Sequence, residues 1–158
     1  PELQNHIKEQ RTNLTITLSN YAIKYRVNDI EQILRPALLA ELTEAGIKHT
    51  PDKIVKIAKQ ADGKIVFLEK GKVTKRASGL AHILKEHKED FARRGISEEE
   101  IPDAVIAAVT SGTFLGYQGT VEPRREIYEL IFNGKKQLIA VTVGDNGYIV
   151  GANPASLP

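Results

Sequence analysis

The chain has 158 residues, of which 41% are hydrophobic and 27% charged, the composition of one globular domain with at most a small accessory segment. It has no cysteine, which excludes disulfide frameworks, cysteine zinc sites and thiol catalysis. No apolar run approaches the roughly 20 residues of a membrane-spanning helix, and the N-terminus does not resemble a signal peptide. The net charge of +2 indicates no particular partner, and the lack of methionine is expected of a chain excised from a longer polypeptide.

Basic residues are concentrated in one part of the chain. Residues 53–76 carry eight of them against Asp62 and Glu69, a net charge of +6, whereas residues 97–103 are acidic. Such a concentration is compatible with a nucleic-acid ligand. The simpler interpretation is the solvated face of a helix and a hairpin, which charge alone favours.

The first part of the chain is predicted to be helical. Apolar residues recur with helical spacing over residues 30–42, with Asp29 as a candidate N-cap and Gly46 as a candidate C-cap. Upstream, apolar residues alternate with threonines over residues 14–18, which fits either a short strand or a helix.

A short helical turn, a strand and a longer helix are expected next. Asp52 begins the turn, and residues 64–69 have the composition of a strand that follows an Asp-Gly turn. Ser78 is the candidate N-cap of a helix that runs to about Arg94, where a glycine closes it.

A further helix is predicted from a capping box. Ser97 and Glu100 have the required spacing, and apolar residues follow at helical intervals. Pro102 fits the first turn of this helix better than its interior.

The last third of the chain has strand character. Four segments are predicted as strands: residues 113–117, 127–132, 137–143 and 148–150. Asn133-Gly134 and Asn146-Gly147 separate consecutive strands, and Asn-Gly is typical of tight hairpins. The predicted fold is therefore α+β, with N-terminal helices followed by an antiparallel β-meander of four to five strands that has helices packed on one face.

Two histidines on the predicted helix of residues 78–94 are candidates for acid–base chemistry. His87 shares a stripe with Leu80, Leu84 and Phe91, which points it toward the sheet. His82 falls on a different side of the helix. Both imidazoles can therefore face one groove only if His82 lies in the first turn of the helix and the site wraps around that end. The alternatives are a core histidine for His87 and an exposed helix residue for His82.

Polar residues at strand ends are the other candidates. Thr142 and Tyr128 stand out in largely apolar strands, and Arg124 and Arg125 enter the Tyr128 strand together, where a guanidinium can grip a phosphate. For any one of them alone, an ordinary strand or surface residue is the favoured interpretation. The sequence contains no glycine-rich phosphate loop, no His-x-x-x-His pair and no convergent acidic cluster, so no metal site is predicted.

Several spaced motifs, in residues 78–87, 116–119, 125–129 and 141–154, resemble one family. They look like the C-terminal toxin domains of CdiA-type contact-dependent inhibition proteins and their phage-borne relatives. These toxins belong to the barnase, EndoU, colicin D and RelE-like ribonucleases. The resemblance covers roughly residues 50–154 and is more specific for the family than for its RNA target.

The resemblance implies metal-independent RNA cleavage, without a cofactor, in a helix–sheet cleft. The 2′-hydroxyl would attack the adjacent phosphate and leave a 2′,3′-cyclic phosphate, which requires an acid, a base and cationic stabilisation. Carried over by motif, the catalytic candidates are His82, His87, Arg125, Tyr128 and Thr142. The RNA-binding candidates are Arg124, which could replace Arg125, and the basic residues Lys72, Lys75 and Arg76.

The resemblance also implies a biological setting. Residues 51–158 would be the ribonuclease toxin domain, and residues 1–50 a helical segment for cell entry or a mere extension packed on the nuclease. The expected partners are RNA, with tRNA foremost, and a cognate immunity protein, and the chain is expected to be a monomer. The toxin would leave its cell on a secreted or surface effector and act in the target-cell cytoplasm.

Two other functions remain open at this point. One is a non-catalytic RNA-binding or phage-structural module of the same fold, and the other is a protein-interaction domain. Fold alone does not separate them from an enzyme, because function depends on the site.

Overall fold

The computed structural model describes the backbone of residues 2–157 and the side chains of residues 2–9 and 30–157. The chain divides into two compact units, Pro1–Ala37 and Leu38–Pro158. The boundary between them therefore lies before the sequence-based boundary at residue 50. Among the described residues, no helix combines the length and the apolar composition that crossing a membrane requires.

The first helix is much longer than the sequence pattern predicts. Helix α1 spans Glu2–Glu44, so residues 14–18 are helical and Asp29 does not begin the helix. Residues 2–35 contain no glycine or proline that would break a helix. The helix therefore continues through Asp29, and this residue does not act as an N-cap. Pro36 lies inside the helix, and Gly46 follows its end with a φ of +71°, as expected of a C-cap residue.

A two-stranded hairpin follows α1. After a 3₁₀ turn at Pro51–Lys53, strand β1 (Ile54–Lys59) pairs antiparallel with strand β2 (Ile65–Glu69). Strand β2 was predicted and β1 was not. Phe67 of β2 is fully buried with Leu42 of α1, so residues from the end of α1 belong to the core of the second unit.

Two helices lie between the hairpin and the final sheet in the chain. Helix α2 spans Gly79–Arg93, close to its predicted limits, and helix α3 spans Ile101–Ser111. The predicted capping box of Ser97 and Glu100 is present, in a 3₁₀ turn that leads into α3.

The last four strands form one antiparallel sheet in sequential order. They are β3 (Thr113–Gln118), β4 (Arg125–Phe132), β5 (Lys135–Val143) and β6 (Ile149–Pro154). Asn133 and Gly134 join β4 to β5 with φ values of +51° and +75°, the conformation that an Asn-Gly hairpin favours. The α+β class with a four-stranded meander is thereby confirmed.

The main core lies between one face of this sheet and helices α2 and α3. Its buried residues come from β2, both helices and the sheet, and include Val66, Leu68, Ile83, Phe91, Val105, Ala108, Leu130, Ile139 and Val141. Each of the larger side chains, valine, leucine, isoleucine or phenylalanine, stabilises the fold by about 1.5–3 kcal/mol through burial. The other face of the sheet carries a smaller buried cluster of Ile127, Ala140 and Ala155, and its polar side chains Thr142 and Asn153 are buried as well.

Candidate active site

One row of residues crosses all four strands on the face away from the main core. Gln118 of β3 pairs with Arg125 of β4, and the β4–β5 register places Arg125 opposite Thr142, which in turn pairs with Gly151 of β6. Directly paired residues project from the same face of a sheet. We call Gln118, Arg125, Thr142 and Gly151 the polar row.

His82 of α2 lies at the β6 end of the polar row. Its imidazole is against Gly151, with Cδ2 3.6 Å and Nε2 3.8 Å from the position that a Cβ would take there. His82 is the fourth residue of α2, so it occupies the first turn, as a shared site requires. Nδ1 of His82 is buried and has no hydrogen-bond partner within the part of the chain that the structure describes.

A bulge adjoins the row at this end. The β5–β6 register shifts between Thr142 and Val143, because Thr142 pairs with Gly151 while Val143 pairs with Ile149. Bulges re-aim side chains and are common beside active sites. Here the shift occurs at the row position that lies next to His82.

Two amide side chains that the sequence analysis did not select lie beside the polar row. Asn153, two residues beyond Gly151 on β6, donates from Nδ2 to Oε1 of Gln118 at 3.3 Å. These residues lie on the two outermost strands of the sheet, so this contact requires the sheet to curl around its polar face. Asn153 is 7% exposed, and its Oδ1 has no hydrogen-bond partner among residues 2–9 and 30–157. An unpaired buried acceptor costs about 1–3 kcal/mol.

The structure places His82, and not His87, at the polar row. His87 is half-buried, and its Nδ1 lies 2.9 Å from Oδ2 of Asp90, one turn along the same helix. That hydrogen bond is the main reason why the pKa of Asp90 is lowered, with a smaller contribution from Arg93. The contact with Gly151 is made by His82, whereas the hydrogen-bond partner shown for His87 is Asp90 of its own helix.

Tyr128 lies on the opposite face of β4 from Arg125. Its hydroxyl donates to the carboxylate of Glu126, and its ring packs edge-on to Phe114. Burial, followed by the neighbouring Glu126, raises the pKa of Tyr128 well above its usual value. The structure therefore does not bring Tyr128 and Thr142 together, since their side chains project from opposite faces of the sheet.

Tyr128 instead lines a different cleft, of about 400 Å³. The end of α3, the β1–β2 turn and the start of β4 surround it, with Thr110, Asp62, Lys64 and Glu126 among its lining residues. Its charged lining residues are the two carboxylates of Asp62 and Glu126 and the single amine of Lys64. This makes it a poorer phosphate site than the polar row.

The two adjacent arginines have different surroundings. The guanidinium of Arg124 lies 4.0 Å from the centre of the Tyr117 ring and donates from Nε to Glu122 at 2.7 Å. The backbone N–H of Arg124 also donates to Glu122, and this hydrogen bond, followed by the one from the guanidinium, lowers the pKa of Glu122. Arg125 is exposed and has no ion-pair partner among the described residues. Arg125 is therefore available to a ligand, whereas Arg124 is held by its own neighbours and is a poor substitute for it.

The predicted RNA-binding lysines lie on the loop that leads into α2. Lys72, Lys75 and Arg76 are exposed, and the loop contains no acidic residue. Lys72 forms a β-bridge with Ser78, the residue before α2, which ties the loop to the helix end that carries His82. Lysine charges and the positive end of a helix dipole both attract phosphates.

The assembled groups suit acid–base and phosphate chemistry. The polar row and its neighbours provide an imidazole, a guanidinium, a hydroxyl and two amides, which belong to His82, Arg125, Thr142, Gln118 and Asn153. Within residues 2–9 and 30–157, no group of three His, Asp or Glu side chains is placed to hold a metal ion.

Comparison of the sequence with protein-family models and with curated proteins finds no match.

Proposed function

We propose that this chain is a metal-independent endoribonuclease, a toxin domain of the CdiA kind. The observation that supports this most directly is the position of His82 at one end of the polar row. An imidazole, a free guanidinium and a hydroxyl on one face are the groups that cleavage by 2′-hydroxyl attack requires.

In the proposed reaction, Arg125 and Thr142 bind the phosphate next to the cleaved bond. His82 accepts the proton of the 2′-hydroxyl, the 2′-oxygen forms a bond to phosphorus, and the bond from phosphorus to the 5′-oxygen breaks. The 5′-oxygen takes up a proton from water, and the products are a 2′,3′-cyclic phosphate and a 5′-hydroxyl. Imidazole suits the first step because its pKa lies near neutral pH.

RNA binding depends on charge in this proposal. The loop with Lys72, Lys75 and Arg76 contacts backbone phosphates that flank the cleaved one, which sequence-independent electrostatic attraction favours. A structured RNA such as tRNA is the proposed substrate, in the cytoplasm of a target cell. A cognate immunity protein would protect the producing cell by covering the same site.

The proposal is tested by incubating the purified protein with total cellular RNA in EDTA. We expect discrete fragments that carry 2′,3′-cyclic phosphate and 5′-hydroxyl ends, identified by enzymatic end analysis. RNA that is bound but stays intact, with or without added Mg²⁺ or host extract, would contradict the enzyme and favour a binding module. Fragments with 3′-hydroxyl ends would contradict the proposed chemistry.

A further inference from the structure

The side chain of Asn153 holds an unused hydrogen-bond acceptor beside the polar row. Its Nδ2 donates to the carbonyl oxygen of Pro154 at 2.9 Å. A backbone carbonyl only accepts hydrogen bonds, so this contact fixes which end of the amide is nitrogen. The oxygen of Asn153 therefore points the other way, where the structure gives it no partner.

The position of this acceptor relates it to the phosphate-binding groups. Asn153 and Gly151 project from the same face of β6 and are two residues apart, about 7 Å along the strand. Gly151 pairs with Thr142, so Asn153 lies one side-chain repeat away from the point where the scissile phosphate is proposed to bind. A base attached to a bound nucleotide has to lie at about this distance from its phosphate.

We infer that Asn153 and Gln118 form a nucleobase subsite that selects the nucleotide at the cleavage position. This inference rests on the proposed function for its RNA ligand. Oδ1 of Asn153 accepts a hydrogen bond from an N–H group on the base edge, which completes the hydrogen bonding of the buried amide. Carboxamide side chains suit this role because they present a donor and an acceptor together, as base edges do.

Gln118 controls access to the acceptor. Gln118 is only half-buried, and its contact with Asn153 is long for a hydrogen bond, at 3.3 Å. Rotation of the Gln118 side chain exposes Asn153 and frees the amide of Gln118 for the same base. Between these two amides, strand pairing places Ile127 and Ala140 on the same face, and both are buried, so the surface beside Asn153 is apolar.

The experiment measures binding without cleavage. Four fluorescent 2′-O-methyl homopolymer oligonucleotides, of A, C, G and U, are titrated with wild-type protein and with Asn153→Ala and Gln118→Ala variants. Methylation blocks the attacking hydroxyl, so this readout is independent of catalysis. Asn146→Ala, a change of the same kind in an exposed turn, is the control, and melting temperatures identify folded variants.

We expect the wild type to prefer one or two bases, and the preference to shrink roughly ten- to a hundredfold in the Asn153→Ala variant. The control should keep the wild-type preference. Equal affinity of the wild type for all four oligonucleotides, or an unchanged preference in Asn153→Ala, would overturn the inference. If Asn153→Ala does not fold, Gln118→Ala decides by the same criterion.

This outcome is separable from that of the proposed function. Cleavage of natural RNA by a wild type that shows no base preference would refute the subsite and leave the ribonuclease intact. A base preference that depends on Asn153, without cleavage of natural RNA, would refute the ribonuclease and keep the subsite.

Discussion

The imidazole of His82 rests on Gly151, with Cδ2 3.6 Å from the position of a Cβ on that glycine. The small residue at Gly151 leaves room for a side chain of α2 against β6. Because Gly151 is paired with Thr142, this contact places the imidazole at the β6 end of the polar row. Helix and sheet thus contribute to one site through a single small residue.

Substitution of Gly151 tests this contact. Alanine places its Cβ at ordinary van der Waals distance from His82, so we expect Gly151→Ala to keep its fold and most of its ribonuclease activity. Valine adds carbons that the ring has to move away from, at a cost of about 1–3 kcal/mol. We expect Gly151→Val to lose most activity while it remains folded at the assay temperature, as judged by circular dichroism. An active, folded valine variant would show that the position of His82 is unimportant.

The two neighbouring arginines should differ in their effect on cleavage. Arg125→Ala removes a charge-assisted contact to phosphate worth about 1.5–3 kcal/mol, so kcat/KM should fall roughly ten- to a hundredfold. Arg124→Ala should change it little, because Arg124 is engaged by Tyr117 and Glu122. Steady-state kinetics on one oligonucleotide compare the two variants. A larger loss of kcat/KM in Arg124→Ala than in Arg125→Ala would place the phosphate on the other face of the sheet.

Neutralising the loop before α2 should weaken RNA binding through charge alone. In a variant with Lys72, Lys75 and Arg76 all changed to glutamine, the slope of log affinity against log salt should fall by about two. Binding isotherms between low and physiological salt measure the slope. An unchanged slope would mean that these residues do not contact RNA phosphates.

Tyr128 should matter for stability at high pH and not for cleavage. Its pKa is raised by burial and by Glu126, so the folded state keeps a proton that the unfolded state loses above about pH 10. Stability that is fully present below pH 10 is therefore lost as the pH rises further. Urea unfolding of wild type and Tyr128→Phe should show a steeper alkaline loss for wild type, with near-equal ribonuclease activity at neutral pH. A large loss of activity in Tyr128→Phe would return the tyrosine to the active site.

Local sequence signals predicted most elements of the second unit. The Asn133-Gly134 turn, the capping box before α3 and the alternation along β4 and β5 each depend on neighbouring residues, and each is present. Strand β1 was missed because six residues with lysines at two positions carry little strand signal without the partner β2. The length of α1 was missed because a favourable N-cap at Asp29 does not end a helix that already continues through it.

The site was predictable only in part. Arg125 and Thr142 were selected as polar residues in apolar strands, and strand pairing then brought them together. Helical spacing identified the apolar stripe that contains His87. It did not show which side of α2 would meet the edge of the sheet, and so it did not select His82. Asn153 and Gln118 escaped notice because their contact depends on the curl of a four-stranded sheet, which no local pattern encodes.

The most direct test of the central claim is the rate of RNA cleavage by His82→Ala and His87→Ala, measured side by side with wild type in EDTA. Both variants lose one imidazole from the same helix, and only His82 contacts the polar row. We expect His82→Ala to be slower by about 10²–10⁴-fold and His87→Ala to retain near wild-type activity. Full activity in folded His82→Ala, or its loss only in His87→Ala, would contradict the assignment of the active site.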